Sequence, residues 1–219
     1  MRLSPASRWL RHAAVVAACA VTGAVPLGAQ SSVANFNTLT DPGNSVRFVE
    51  NCYVEANLRF TVVGDACGTP DSFATWGSAD ALFYTGSPAL FNNSATGTAI
   101  DIGSSSGARF SLFSIDLTSF LGAIGNPTSV LFEGSLEGGG SLSRTVDVDG
   151  ATTTPTSVAF SDWVGLSSVR LTVTDPSFEP YVQFDNVSVS VVPEPASIAL
   201  LGVGLAVIGA AARRRRTHS

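Results

Sequence analysis

The chain has 219 residues, of which 45% are hydrophobic and only 13% are charged, and it contains no lysine. Between residues 30 and 191, five arginines stand against sixteen acidic residues, so this body has a net charge of −11. Because phosphate binding needs clustered Lys or Arg, the charge argues against DNA or RNA as a partner. The length suits one domain of about 150 residues with short processed ends.

The first 29 residues have the pattern of a secretory signal peptide. Three arginines within the first eleven residues precede an apolar run that ends near Val25, and small residues follow. This order is typical of the basic, apolar and cleavage regions of such a signal. We predict cleavage after Ala29, with Ala24 as the alternative. A competing interpretation takes the residues before Cys19 as a lipobox, which would make that cysteine a lipid anchor.

Removal of the signal leaves two cysteines, Cys52 and Cys67, in the exported body. Two cysteines in an oxidising compartment predict one disulfide, and a pair of buried free thiols is the alternative. A zinc site is not favoured, because the two histidines of the chain, His12 and His218, lie in the ends that we expect to be removed.

The body from residue 30 to residue 191 reads as a set of short β-strands. Apolar runs alternate with clusters of Gly, Ser, Thr, Asn and Asp, and no helix-length apolar period occurs before the C-terminal tail. We predict an all-β fold, a single antiparallel β-sandwich of the jelly-roll type, between the signal peptide and a C-terminal transmembrane helix. The predicted strands are 45–54, 58–63, 81–86, 108–117, 128–136, 143–150, 156–163, 167–175 and 181–192.

One predicted strand carries apolar residues on both faces. Strict alternation places Phe110 and Leu112 on one face and Phe113 and Ile115 on the other. A strand with two apolar faces is expected in a central position. By contrast, valine and serine alternate over residues 187–191, which predicts a half-buried antiparallel strand.

The body lacks the residues that most enzymes of this size use. No histidine or lysine lies between residues 30 and 191, so a Ser-His-Asp triad and a lysine nucleophile are absent, and we expect no enzyme activity and no cofactor beyond a structural Ca²⁺. Asp147 and Asp149, two apart on one predicted strand, are weak candidates for Ca²⁺ or glycosidase chemistry, and a solvated strand end is favoured. Asp185 is a further weak Ca²⁺ candidate, for which a turn-forming role is favoured.

Four aromatic residues have rings able to stack on sugars: Trp76, Tyr84, Trp163 and Tyr181. Of these, Trp163 is favoured as a core residue.

The C-terminus combines an apolar run with a basic end. Residues 196–212 have low polarity throughout and would span roughly 25 Å as a helix, close to the hydrocarbon thickness of a bilayer. We predict a transmembrane helix there, with a cytoplasmic stop formed by the arginines that follow it. These are Arg213, Arg214, Arg215 and Arg216.

Immediately before the apolar run lie Pro193, Glu194 and Pro195. This motif, the apolar helix and the arginine cluster, in this order over residues 192–219, resemble the PEP-CTERM sorting tail of exported proteins of Gram-negative bacteria. The resemblance implies that exosortase, an integral-membrane cysteine protease-transpeptidase, recognises the motif. It also implies transient anchoring in the inner membrane, followed by transfer to the cell surface or the exopolysaccharide matrix.

The sequence therefore predicts an exported, non-enzymatic surface or matrix protein that exosortase processes, with exopolysaccharide as a second partner. A carbohydrate-binding module on the same fold is the alternative, since residues 184–190 also resemble the closing strand of carbohydrate-binding jelly rolls. A carboxylate-dependent glycosidase is the third hypothesis, and it is the least favoured.

Overall fold

The computed structural model describes residues 30–95, 97, 99–119, 127–174 and 182–191, together with the single residues 202, 204 and 208. The strands lie within one compact unit, Ala29–Pro193. They are β1 (Gln30–Ala34), β2 (Val46–Val49), β3 (Tyr53–Glu55), β4 (Leu58–Val62), β5 (Phe73–Trp76), β6 (Leu90–Asn92), β7 (Ile100–Ser104), β8 (Phe110–Ser119), β9 (Thr128–Leu136), β10 (Ser141–Val148), β11 (Thr156–Ala159), β12 (Leu166–Val173) and β13 (Val182–Val191). A single 3-10 turn, Asn37–Leu39, follows β1.

Antiparallel pairing joins the strands into two layers. The first layer has the order β2-β5-β6-β13-β8, with β1 also paired to β13 and β11 to β8. The second layer has the order β3-β4-β7-β12-β9-β10. Between β8 and β12, the described register has the single pair Phe110–Leu166, at one corner. The predicted antiparallel β-sandwich is thus confirmed.

The core lies between the two layers and is rich in phenylalanine. The ring of Phe36 lies 5.2 Å from that of Phe60 in β4 and 5.6 Å from that of Phe184 in β13, so it bridges the layers. All three side chains are fully buried. Edge-to-face pairs of this kind stabilise a core beyond the area that they bury.

Trp163 fills the other half of the core, as predicted. Its ring lies 4.8 Å from that of Phe160 and 6.4 Å from that of Phe132. It packs directly on the backbone of Gly134, where an added Cβ would approach the indole to 3.0 Å. A glycine in β9 is therefore required for this close approach.

The predicted strand 45–54 is in fact two strands. A turn at Asn51 and Cys52 separates β2 from β3, and the Asn51 side chain accepts hydrogen bonds from the backbone N–H groups of Cys52 and Val62. Asparagine readily replaces a backbone partner in this way, and it thereby redirects the chain between the two layers.

The predicted strand 81–86 is also wrong. Asp80 accepts hydrogen bonds from the backbone N–H groups of Leu82 and Phe83, which produces a turn instead.

Four strands, β1, β5, β6 and β7, have no counterpart among the predicted strands. All four are short, at three to five residues, so their alternation is too brief to stand out in the sequence.

The predicted disulfide is present, joining Cys52 and Cys67 across a separation of 15 residues. The bridge encloses β3 and β4, which form the outer edge of the second layer. It therefore ties an edge of the sandwich that has strand neighbours on one side only.

Candidate functional site

A loop covers part of the outer surface of the first layer. Residues 77–89 connect β5 to β6, and the loop places Phe83 against Trp76 of β5, with the two rings 4.8 Å apart. Together with Ala74 and Phe91, Phe83 forms a second buried cluster outside the main core. We call this surface the covered face.

Beside the cover, β8 and β13 each contain a bulge at the same level. Asp185 pairs with Asp116, but the next pair is Ser188–Ser114, and Val189 then pairs with Leu112. Each strand thus has one extra residue, and the two insertions restore the overall register. Bulges of this kind redirect side chains and are frequent next to functional sites.

The bulges change the faces that were expected for β8. Phe110, Leu112 and Ile115 are all buried in the core, whereas Phe113 is turned outward and is 43% exposed. Strict alternation had placed Ile115 on the face opposite Phe110. The prediction of a central position is confirmed, because β8 lies between β13 and β11.

Asp185 lies in the bulged part of β13, and its side chain is only 3% exposed. Its carboxylate accepts hydrogen bonds from the Ser87 hydroxyl, which belongs to the covering loop, and from the backbone N–H of Asn186 at 2.7 Å. Burial raises the pKa of Asp185 to about 6, with smaller contributions from Asp116 and Glu55, against the lowering effect of the two hydrogen bonds.

Asp116, the cross-strand partner of Asp185, is held in place by two side chains. Its oxygens accept hydrogen bonds from Ser157 of β11 at 2.5 Å and from the side chain of Asn186 at 2.9 Å. Asn186 adopts a left-handed backbone conformation with φ of 50°, which asparagine tolerates better than most residues.

These residues form what we call the bulge site: Ser87, Phe113, Asp116, Ser157, Asp185 and Asn186. It combines an exposed aromatic ring with fixed carboxylate, amide and hydroxyl groups. Such a set can stack on and hydrogen-bond to a polyhydroxylated ligand. Asp185 itself is too buried to meet a ligand directly, so its part is to position Ser87 and Asn186.

The other predicted acidic candidates occupy a different place. Asp147, near the end of β10, accepts a hydrogen bond from Ser129 at 2.6 Å, and Asp149 accepts one from the backbone of Ala151 at 3.1 Å. Both side chains are exposed. Among the described residues, no group of three or more His, Cys, Asp or Glu side chains is placed to hold a metal ion.

Asp185 lies within a strand, so its expected turn-forming role is wrong.

Of the predicted aromatic residues, Trp163 belongs to the core and Trp76 to the covered face. Tyr84 is half-buried in the covering loop, and Tyr181 lies outside the described residues. The exposed ring on the strand of Asp116 is Phe113, three residues before that aspartate, and sequence reasoning missed it. A usable signal was present, since Asp116 and Asp185 are the single charged residues of two otherwise uncharged strand segments.

A small cavity of about 20 Å³ lies between the layers at the end of the sandwich where β13 begins. Val130, Leu171, Val182 and Phe184 are among its mainly apolar lining residues. Its volume suits about one water molecule, so it is not a site for a larger ligand.

The predicted sorting residues Pro193, Glu194, Pro195 and Arg213–Arg216 lie outside the described residues. Within the predicted helix 196–212, Gly202, Gly204 and Ile208 are described, and all three are helical. In the described part of the chain, no helix combines the length and apolar character that a membrane span needs.

Residues 191–216 match the PEP-CTERM protein-sorting motif. The motif marks an exported protein that exosortase sorts after a transient stage at the membrane. The match begins at Val191, which is the last residue of β13. A comparison with curated proteins finds no match to this chain.

Several solved structures show weak similarity to the body. An exo-β-agarase is 14% identical, with a TM-score of 0.37 over 74% of this chain and 26% of the agarase chain. A variant of a family 29 carbohydrate-binding module is 10% identical, with a TM-score of 0.39 over 75% and 94% of the two chains. A DUF4465 family protein from Bacteroides ovatus is 9% identical, with a TM-score of 0.40 over 74% and 99%. This chain spans about a quarter of the agarase, and similarity at this level carries no argument about function.

Proposed function

We propose that this chain is a non-enzymatic protein of the cell surface or the exopolysaccharide matrix, delivered there by exosortase. The observation that carries the proposal is the sorting motif at residues 191–216, directly after a folded β-sandwich. The sandwich is the folded body of the protein, and the tail contains the sorting signal.

The chemistry of the body supports a role without catalysis. The residues between 30 and 191 include no histidine and no lysine. Asp185, whose pKa is raised by burial, is shielded from solvent, and Asp147 and Asp149 are each engaged by a local hydrogen bond. A glycosidase needs two accessible carboxyl groups on either side of the scissile bond.

The sorting motif provides the test. Replacement of Pro193, Glu194 and Pro195 by alanine should leave the full-length protein in the membrane of a host that has exosortase, whereas the wild-type protein is shortened and released. Fractionation with intact-mass analysis separates the two forms. Shortening and release of the variant at the wild-type rate would contradict the proposal.

Carbohydrate binding by the body is the second candidate, and the bulge site favours it. Phe113 is exposed on a strand that also carries Asp116, whose hydrogen bonds to Ser157 and Asn186 fix its direction. A site of this composition would hold a neutral sugar by stacking and hydrogen bonds. With a net charge of −11, the body has no cationic surface to grip an acidic polymer unless Ca²⁺ bridges the two.

A glycan array with the purified body, residues 30–192, tests this second candidate. Phe113→Ala should weaken binding by about tenfold, because aromatic stacking is lost. Phe48→Ala, a second exposed phenylalanine on β2, is the matched control and should bind like the wild type. Retention on native exopolysaccharide should change little with salt if contact is direct, and should fall with EDTA if Ca²⁺ bridges. Steep loss with salt and no effect of EDTA would contradict both modes.

A further inference from the structure

The sorting motif begins inside the sheet. Val191, the first residue of the match, pairs with Gln30 of β1 on one side and with Phe110 of β8 on the other. Pro193 follows two residues later, so even a fully extended chain keeps it within about 7 Å of Val191. An enzyme that binds the motif must therefore approach the end of the sandwich from which the tail leaves.

Separation of the C-terminal end of β13 from the sheet would cost considerable free energy. Val187 and Val189 are fully buried, and Val191 is nearly so. Release of this strand end would expose these valines and break hydrogen bonds to two neighbouring strands, and burial of each valine side chain contributes about 1.5–3 kcal/mol. The folded body therefore holds Val191, two residues before Pro193, in a defined position.

Three chain segments lie at the same end of the sandwich as Val191, and we call them the tail-side rim. They are the turn between β7 and β8 (105–109), the hairpin between β9 and β10 (137–140) and the turn before β12 (164–165). The backbone N–H of Glu137 donates to the carbonyl of Gly165 at 3.2 Å, and Arg109 pairs with Glu137 at 2.5 Å. The rim is thus one connected surface.

The rim differs from the rest of the body in its net charge and in the glycines that form its hairpin tip. Its own charged side chains are Arg109 and Glu137, which neutralise each other, and the Arg59 side chain of β4 donates a hydrogen bond to the carbonyl of Ser105, although the body as a whole is strongly acidic. Gly138, Gly139 and Gly140 form the exposed tip of the hairpin, with φ between 91° and 100°. Because the rim lacks the strong negative charge of the body and its hairpin tip has no side chains, a partner surface can come close to the base of the tail.

We propose that the tail-side rim is a docking surface for exosortase, which must contact it while reading the motif. This inference rests on the proposed sorting function. The rim therefore acts as part of the substrate, and bulk added there should hinder processing even when the motif itself is intact.

The test uses the full chain in a host that has exosortase, with the rate of tail removal as the readout. Glu137→Trp adds a large side chain at a position that is already exposed, and Glu137→Ala removes the ion pair without adding bulk. We expect Glu137→Trp to slow processing by about tenfold through steric exclusion, and Glu137→Ala to process like the wild type. Thr153→Trp, in the exposed turn at the opposite end of the sandwich, should also process normally.

A spacer provides the decisive control. Insertion of Gly-Ser-Gly-Ser between Val192 and Pro193 moves the motif away from the rim, so it should restore the rate of the Glu137→Trp variant. Ser141→Trp, at the exposed start of β10, serves as a second bulky variant should Glu137→Trp fail to fold, as judged by thermal unfolding of the purified body.

Wild-type rates for both folded bulky variants would overturn the inference, as would failure of the spacer to restore the rate. The alanine substitution of the motif separates this result from failure of the sorting function. If that variant keeps the full-length chain in the membrane while the bulky variants process normally, the sorting function stands and the docking surface alone is wrong.

Discussion

The two outer surfaces of the sandwich differ in the outward-facing side chains that they carry and in how these side chains are shielded or satisfied. On the covered face, Ala74, Trp76 and Phe91 point outward from the first layer, and the loop 77–89 must lie over them. The second layer instead presents an open face, where Arg170 of β12 forms a two-point hydrogen-bonded ion pair with Asp101 of β7. Apolar outward residues need a third layer, whereas charged residues are satisfied by solvent and by each other.

The difference also explains where the bulge site lies. A buried acid such as Asp185 requires a cover that excludes water and supplies a hydrogen-bond donor, here Ser87. Among the residues that the structure describes, none forms such a cover over the open face. The consequence is that the two faces should respond very differently to substitution.

The largest effect is expected when Phe83, which packs the loop 77–89 onto the covered face, is replaced. Phe83→Ala should lower the free energy of unfolding by about 3 kcal/mol, because a buried ring is removed and a cavity is left. Phe48→Ala is the matched control, since this ring is 58% exposed on the same layer, and it should cost no more than about 0.5 kcal/mol. Urea denaturation gives both values. Equal costs would show that the loop is not a third layer.

The second effect concerns the edge of the open face, where the disulfide lies. Replacement of Cys52 and Cys67 by alanine should lower stability by about 3 kcal/mol or somewhat less, because the unfolded chain regains its freedom. Intact mass after alkylation, before and after reduction, checks that the bridge forms in the exported protein. Two freely alkylated thiols in the unreduced protein would contradict the structure.

The third effect depends on pH and tests the buried acid of the covered face. The pKa of Asp185 is about 6 in the folded state, above its ordinary value of 3.8, chiefly because the group is buried. Between these pH values the folded state holds more protons than the unfolded state, so the contribution of Asp185 to stability is present below about pH 4 and is lost as the pH rises through 6.

Asparagine cannot ionise, so Asp185→Asn should be more stable than the wild type by about 1–2 kcal/mol at pH 8, and this advantage should disappear near pH 4. Thermal or urea unfolding across this range measures the difference. Asp149→Asn, at an exposed position, is the control and should follow the wild type within about 0.5 kcal/mol. A pH-independent difference for Asp185→Asn would refute the assignment.

The smallest effect is expected on the open face. Arg170→Ala removes the ion pair with Asp101, in which the Arg170 side chain is 47% exposed. Exposed pairs contribute little, so we expect a loss of about 0.5 kcal/mol that decreases further in high salt. A loss comparable to that of Phe83→Ala would remove the distinction between the two faces.

Local sequence patterns determined the fold class, the disulfide and the sorting tail. The alternation of apolar residues over segments such as 128–136 is long enough to specify a strand, and Trp163 was correctly placed in the core. The sorting tail needs no fold at all to be recognised, because its signal lies in a contiguous order of residues that matches over 191–216.

Tertiary structure alone decided the covered face and the bulge site. Ser87 and Asp185 are 98 residues apart, and Asp116 and Asn186 are 70 apart, so no local period connects them. The bulges that return Ile115 to the core face arise from the pairing of β8 with β13, a relation between two strands that neither segment encodes by itself. Burial, and with it the raised pKa of Asp185, exists only once the loop 77–89 has closed over the sheet.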